Sequence, residues 1–419
     1  MRVLLSAWAC APGVGSEAGV GWRTALLLSR EHEVHVMTSV ANKRAIEQVG
    51  PLSSAISFSY FGTDCPLHRN MALARSQNWY RFGRWMSDSI GFARKLHEAR
   101  PFDVTHHITI GTVRVASPLW RLPVPFVFGP CGGGEVIPLE CFRSLRWREA
   151  IWESARYMNN LSLRASIRVR SCIRNAAATL GSTKRSCELL QKLGAKRSTI
   201  RRLPSIFLSN DEMRQLPTRS HTHSQTPLTM ISGGVLDGRK GVNLALDSVA
   251  LAKEMGAKVS FNVTCIGPEL AHLRYLASQL GLEREVHFQQ SLSRSEYLQQ
   301  LGSADVFFLP SLRDAGPTSL VEAMMTGCVP LVIDCNGPGE HVVEGAGIKI
   351  QPGSPTAMAG RFARIIADLS ANKSGLHALS NGASKHARSV FSEKAFASEL
   401  REVYRVATTA RRFSSATSR

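Results

Sequence analysis

Two carboxylates with seven residues between them, Asp314 and Glu322, stand where a buried apolar run, Phe307-Phe308-Leu309-Pro310, gives way to a polar loop and then to a helical pattern. The helix is expected to open near Thr318, with Gly316 and Pro317 just ahead of it. Such an opening aims backbone N–H groups and the positive end of the helix dipole at the carboxyl edge of a parallel sheet, where a diphosphate would bind. Asp314 lies in the loop and Glu322 one to two turns into the helix, so both can face one crevice. The plain alternative is a strand-turn-helix with a capping acid.

A second stretch, Ile231 to Gly241, reads as a strand, a Gly-rich turn and a basic entry, Arg239-Lys240, to a helix beginning near Val242. Cations at a helix start oppose the dipole, which an anionic ligand would relieve. A lysine ammonium there can neutralise departing phosphate. In the first half, Cys10 to Trp22 carries Gly13, Gly15, Gly19 and Gly21 after an apolar strand. A dinucleotide fingerprint would need its glycines tight against that strand and an acid ending the next one, which ends instead in Thr38-Ser39. Asp103-Val104-Thr105-His106-His107 sets two histidines on alternate faces of a strand end. Phe128 to Glu135 is a loop of small residues that suits either close ligand approach or a structural turn.

The elements that must carry these residues are short apolar runs alternating with helical patterns, the mark of an α/β protein with parallel sheets. Residues 2–8, 33–38, 56–61, 104–107 and 125–128 read as strands in the first half; residues 228–232, 259–266, 286–288, 306–310, 329–333 and 347–350 do so in the second. The 419 residues suit two domains of about 200 each. Residues 205–227 lose periodicity and fill with Ser, Thr, Asn and Pro, as a linker would. The expected division is therefore 1–205 and 206–385, with 386–419 as a C-terminal helix and basic tail packing back toward the first domain.

The nine cysteines are scattered and never spaced C-x-x-C, so neither a disulfide framework nor a zinc site is suggested, and a reducing cytoplasm fits. Residues 1–11 are expected to form a buried strand rather than a signal peptide, and no apolar run approaches the roughly 18 residues of a spanning helix. Of the net charge of +19, most lies in residues 1–205, which hold 29 Lys/Arg against 13 Asp/Glu. One domain should thus face an anionic partner: phospholipid, a phosphorylated acceptor or nucleic acid. No nucleic-acid reading module is recognisable, so nucleic acid is not expected.

Asp314, the seven intervening residues, Glu322-Ala323-Met324 and Gly327-Cys328-Val329-Pro330 resemble the hallmark of the group 1 family of GT-B glycosyltransferases. The resemblance implies two doubly wound Rossmann-like domains facing a central cleft, a retaining transfer from a nucleotide diphosphate sugar, and no cofactor or metal. It implies that Asp314, where the family usually has Glu, contacts the donor sugar and that Glu322 holds the ribose hydroxyls, with Gly316, Pro317 and Thr318 at the nucleotide. Lys240 matches a family lysine that clamps the diphosphate. The family's arginine falls on Val235, leaving Arg239 as a candidate substitute. His106 matches a family histidine aimed at the donor sugar, and Gly15, Ser16 and Glu17 a Gly-rich loop at the donor phosphates and acceptor. A nucleotide-sugar-binding pseudoenzyme and a sugar-nucleotide epimerase of the same fold stay open as alternatives.

Two basic, aromatic-bearing stretches are candidates for docking the first domain on an anionic membrane beside a lipid-linked or glycan acceptor. Residues 69–100 hold seven Arg/Lys with Trp79, Tyr80, Phe82, Trp85 and Phe92. Residues 143–174 hold eight Arg, with Phe142, Trp147, Trp152 and Tyr157 beside or among them. Trp79, Phe82 and Met86 recur near helical spacing, as one face entering the headgroup layer would. The expected location is the cytoplasm, peripheral to the inner face of the plasma membrane.

Overall fold

The computed structural model describes residues 1–62, 71–145, 147–217, 227–267, 269–290 and 292–416. Cys65, Arg69 and Asn70, Arg146, and the parts of the expected linker and tail at 218–226 and 417–419 lie outside them. The chain divides into two compact units. The first comprises Met1–Gly134, Asn159–Phe207 and Glu393–Arg419, and the second Glu135–Met158 and Leu208–Ser392.

In the first unit the strands are β1 (Arg2–Ala7), β2 (Glu33–Ser39), β3 (Ile56–Phe61), β4 (Val104–Thr109), β5 (Phe126–Cys131), β6 (Ala178–Gly181) and β7 (Ile200–Arg202). They form one parallel sheet in the order β3-β2-β1-β4-β5-β6-β7. β1, β4 and β5 are buried on both faces, which is why they read as continuous apolar runs rather than alternating ones. The helix Ser16–Leu28 follows β1 closely: a side chain on Gly21 would strike the Ala9 carbonyl, and one on Gly19 the Val14 carbonyl. Those two glycines serve packing.

The helix Glu393–Ala416 closes this unit, placing Phe396, Leu400, Val403, Tyr404 and Ala407 in the core with Val3, Leu5 and Val104. Phe396 stacks on Phe207 with ring centroids 4.3 Å apart. Burial of such side chains contributes about 1.5–3 kcal/mol each. The helix runs beyond the expected fraying point at 410 to Ala416.

The second unit is a six-stranded parallel sheet of β8 (Leu228–Val235), β9 (Val259–Ile266), β10 (Val286–Gln289), β11 (Val306–Leu309), β12 (Val329–Ile333) and β13 (Ile348–Ile350), in the order β10-β9-β8-β11-β12-β13. Both sheets therefore reverse direction of growth beside their first strand, between β1 and β4 and between β8 and β11. In doubly wound sheets, ligands bind outside the carboxyl ends of the strands at that reversal.

The contiguous division at 205 gives way to a discontinuous one. Residues 135–158 join the second unit because Ile137 and Cys141 are buried in its core, with Phe142 packed against them, removing Phe142 from the membrane-facing set. The expected linker also starts later: Ile206, Phe207 and Leu208 are buried, and Ser209 and Glu212 form a capping box on the helix Asn210–Arg214. In the long helix Met71–Ala99 the expected lipid face turns mostly inward, with Trp79 alone of its three residues exposed. Phe82, Trp85 and Met86 are buried, and Trp85 and Phe92 both stack on Phe61. The 3.6-residue apolar repeat there is the imprint of a core.

Burial holds the His106 and His107 imidazoles down from 6.5 to about 4, outweighing the carbonyls of Gly129 and Ile110 that would raise them. The unfolded chain takes up these protons near pH 6.5, while the folded chain resists until about 4. Their contribution to stability is thus complete above 6.5 and is lost as the pH falls toward 4. The thermal midpoint should drop between pH 7 and pH 5, and the drop should shrink in His106→Asn. A midpoint that holds or rises on acidification contradicts this burial.

Candidate active site

At the reversal point of the second sheet, the loop after β8 meets the loop after β11. The chain leaves β8 through Leu236-Asp237, makes a short turn at Gly238–Lys240, and enters the helix Val242–Glu254 through Gly241, which adopts φ 68°. That left-handed residue must be glycine twice over, since a side chain would also strike the Pro310 carbonyl. The Leu312 N–H donates to the Arg239 carbonyl at 2.8 Å, and the Ser311 hydroxyl to the same oxygen at 3.3 Å. The two loops are one bonded assembly.

Within it, Lys240 Nζ lies 2.5 Å from Asp314 Oδ2, with both side chains about one-eighth exposed. Burial pushes the Asp314 carboxyl up, but the charges of Lys240 and Arg239 and bonds from Lys240 and the Gly316 N–H together hold it below the ordinary carboxylate value. Asp314 is thus an anion at neutral pH. Three residues on, Pro317 precedes the helix Thr318–Thr326 and supplies no side-chain cap. The first-turn N–H groups of Thr318 and Ser319, beside Gly316, are left to an external acceptor by helix geometry. Gly337 N–H donates to the Asp314 carbonyl at 2.9 Å and Asn336 Nδ2 to the Leu312 carbonyl at 3.0 Å, fixing the loop from the β12 side.

Glu322 sits one turn into the same helix with its side chain 4% exposed, and Arg294 donates to its Oε1 at 2.6 Å. Arg294 opens the helix Arg294–Ser303, whose capping box is Ser293 with Glu296. One turn later Tyr297 lies against Gly233, and burial with the nearby Glu322 charge raises its phenol well above the ordinary value. Sequence reasoning missed Arg294 and Tyr297. The signal was there: Ser293 and Glu296 place Arg294 at a helix start, where a cation is disfavoured unless an acid meets it.

Other expected residues are placed differently. Arg239 folds back on its own turn, with Nε 2.8 Å from Asp237 Oδ2. His106 is fully buried: Nε2 meets the Gly129 carbonyl at 2.6 Å, so Nδ1 accepts from the Tyr404 hydroxyl at 2.8 Å. Both ring nitrogens are used inside the first unit, and His106 is a core residue there rather than one aimed at a donor sugar. Gly15 and Ser16 are exposed at the start of the helix Ser16–Leu28, with Ser16 at φ 58°. Glu17 Oε2 accepts from the Gly111 N–H at 3.2 Å and so ties that helix start to the loop after β4.

Residues 214–384 match the family described as glycosyl transferases group 1. The putative colanic acid biosynthesis glycosyltransferase WcaL of Escherichia coli is 31% identical over 161 residues, 37% of this chain and 38% of that protein. The N,N'-diacetylbacillosaminyl-diphospho-undecaprenol alpha-1,3-N-acetylgalactosaminyltransferase of Campylobacter jejuni is 25% identical over 38% of this chain and 42% of its own length. The matched stretch thus spans about two fifths of these curated relatives. The whole fold is similar to that of sucrose-phosphate synthase from Thermosynechococcus elongatus (TM-score 0.67, 14% identity, 98% of this chain and 99% of that one). It is also similar to that of Anabaena Alr3699/HepE solved with UDP (TM-score 0.65, 16% identity, 96% and 98%). The architecture is GT-B, with two parallel α/β units.

The Arg294–Glu322 contact gives a stability test. Arg294→Met strips a nearly buried carboxylate of its guanidinium and should cost about 1–3 kcal/mol, read as a lowered thermal midpoint. Glu322→Gln keeps an acceptor for Arg294 and should cost less. Equal midpoints for Arg294→Met and the parent chain contradict the pairing.

Proposed function

We propose that the chain is a retaining glycosyltransferase that moves a sugar from a nucleoside diphosphate donor to a lipid-linked or glycan acceptor at the cytoplasmic face of an anionic membrane. The observation that carries this reading is the meeting of Lys240, Asp314 and the uncapped helix start at Thr318 on the reversal point of the second sheet. In this reading the diphosphate lies on the Gly316 to Ser319 backbone with Lys240 as its counter-charge, and Pro317 shapes the turn. Glu322 accepts the ribose hydroxyls once Arg294 moves aside, and Asp314 contacts the donor sugar.

When the bond between the sugar and the diphosphate breaks, negative charge grows on the departing oxygen. Lys240 and the helix dipole face that charge, and a preorganised cation costs little reorganisation there. Lys240 and the helix end thus supply positive charge without a metal cofactor. Arg239 can add to it only by leaving Asp237. On the acceptor side, the exposed Gly15 and Ser16 are the candidates, with Glu17 holding their loop in place. The names of the matched proteins, a putative colanic acid biosynthesis glycosyltransferase of Escherichia coli and a transferase of Campylobacter jejuni named for a diphospho-undecaprenol-linked sugar, support a glycan or lipid-linked acceptor.

Lys240→Ala should weaken binding of a nucleoside diphosphate by at least about tenfold, worth about 1.4 kcal/mol, and leave nucleoside binding nearly unchanged. Glu322→Ala should weaken both. Asp314→Asn should retain nucleotide affinity and lower turnover. Calorimetric titration with uridine, UDP and their guanosine counterparts, beside a nucleotide-sugar turnover assay, separates these outcomes. Equal losses for nucleoside and diphosphate in Lys240→Ala would make that lysine structural, and full turnover in Asp314→Asn would remove Asp314 from the sugar.

A further inference from the structure

The helix Trp147–Ser162 is amphipathic with its apolar side outward. Trp147, Ile151 and Met158 recur at helical spacing on one stripe, flanked by Trp152 and Tyr157, and all five are exposed, Trp147 by 70% and Trp152 by 75%. The described charged residues point the other way, and the polar residues exposed beside the stripe, Ser154, Asn159 and Ser162, are uncharged. Glu149, Glu153, Arg156 and Asn160 share the opposite stripe and are half-buried. Glu153 forks onto Arg313 at 2.7 and 2.9 Å, and Glu149 lies against Gly238, so this stripe grips both loops of the candidate active site from behind.

A helix that serves only to pack would turn the other face inward. A soluble chain gains nothing by showing water two tryptophans, an isoleucine and a methionine on one contiguous face. The surroundings identify what covers it. None of the exposed, described side chains between Trp147 and Ser162 is charged, while Arg143 before the helix and Arg164 and Arg168 after it are exposed. Trp and Tyr on an apolar stripe, edged by arginines, match the layered chemistry of a bilayer surface, with acyl chains below and anionic phosphates above. A second copy docking by the same face would set arginines against arginines.

We infer that the helix Trp147–Ser162 is the membrane-docking element of this chain, lying in the headgroup layer of an anionic bilayer with Trp147, Ile151, Trp152 and Met158 immersed. This deepens the proposed function by naming the surface, and rests on that function only for its purpose. Through the Glu153–Arg313 fork it would hold the Asp314 loop at a fixed depth from the lipid.

The test uses the full chain with vesicles of phosphatidylglycerol in phosphatidylcholine, and of phosphatidylcholine alone. The chain should sediment with the anionic vesicles, shift its tryptophan emission to the blue, and release at high salt. Replacing Trp147, Ile151, Trp152 and Met158 together by Ser should reduce vesicle affinity at least about tenfold while leaving the thermal midpoint and nucleoside diphosphate affinity as in the parent. Arg164→Glu with Arg168→Glu, which leaves the stripe intact, should weaken binding to anionic vesicles alone, and guards against a fold defect in the serine variant. Equal binding to both vesicles, binding to neither, or parent-like binding of the serine variant overturns the inference. So does a dimer that the serine variant dissolves without any vesicle binding. Absence of nucleoside diphosphate binding in the parent chain, with vesicle binding intact, would instead refute the proposed function and leave the docking helix standing.

Discussion

The Lys240–Asp314 ion pair couples the two strands that flank the reversal point of the second sheet, and much of the surrounding geometry follows from keeping it in place. Gly241 must turn left-handed so that the helix after Lys240 can start against Pro310. The Leu312 N–H and the Ser311 hydroxyl must reach the Arg239 carbonyl, and Gly337 and Asn336 must brace the loop from the next strand. Removing one member of a pair this buried typically costs about 3–5 kcal/mol, because the other charge is stranded. A nearly dry cation held beside uncapped helix amides is also an arrangement that an incoming diphosphate can use, since it exchanges one anionic partner for another.

The two units repeat one design with different electrostatics. In each, an acid bridges the loops on either side of the reversal: Glu17 to the Gly111 N–H in the first, Asp314 to Lys240 in the second. Burial raises the Glu17 carboxyl despite the Gly111 bond, whereas the charges around Asp314 lower its carboxyl. The first bridge thus shifts its acid toward the protonated form, while the second holds its acid as an anion beside a cation. Only the second is equipped to meet the charge of a diphosphate, which agrees with the family match falling on residues 214–384.

Eleven of the strands were legible as apolar runs, most of them because parallel strands covered on both faces leave little polar alternation, whereas β3 and β10 are only partly covered. β6, Ala-Thr-Leu-Gly, is too short and small to stand out, and β7, Ile-Arg-Arg, is an exposed basic edge strand whose charges protect it from pairing further. The acids, the lysine and the helix start of the candidate site were legible because they lie close together in two short stretches. Partners from distant stretches were not: Arg294 for Glu322, Tyr404 for His106, and Arg313 for Glu153 each depend on tertiary contact. The same limit explains Phe82 and Met86. An apolar stripe on a helix has one pattern whether it faces a core or a lipid, and only packing shows that the stripe on Met71–Ala99 is inside while that on Trp147–Ser162 is outside.

The proposed function stands or falls on the loop assembly at Lys240, Asp314 and Thr318 as a nucleoside diphosphate site. A crystal structure of the chain soaked with UDP or GDP tests it most directly. Phosphate oxygens are expected within hydrogen-bond distance of Lys240 Nζ and of the Thr318 or Ser319 N–H, and ribose hydroxyls on the Glu322 carboxylate with Arg294 displaced. A nucleotide bound elsewhere on the chain, with the Lys240–Asp314 and Arg294–Glu322 contacts unchanged, would contradict it.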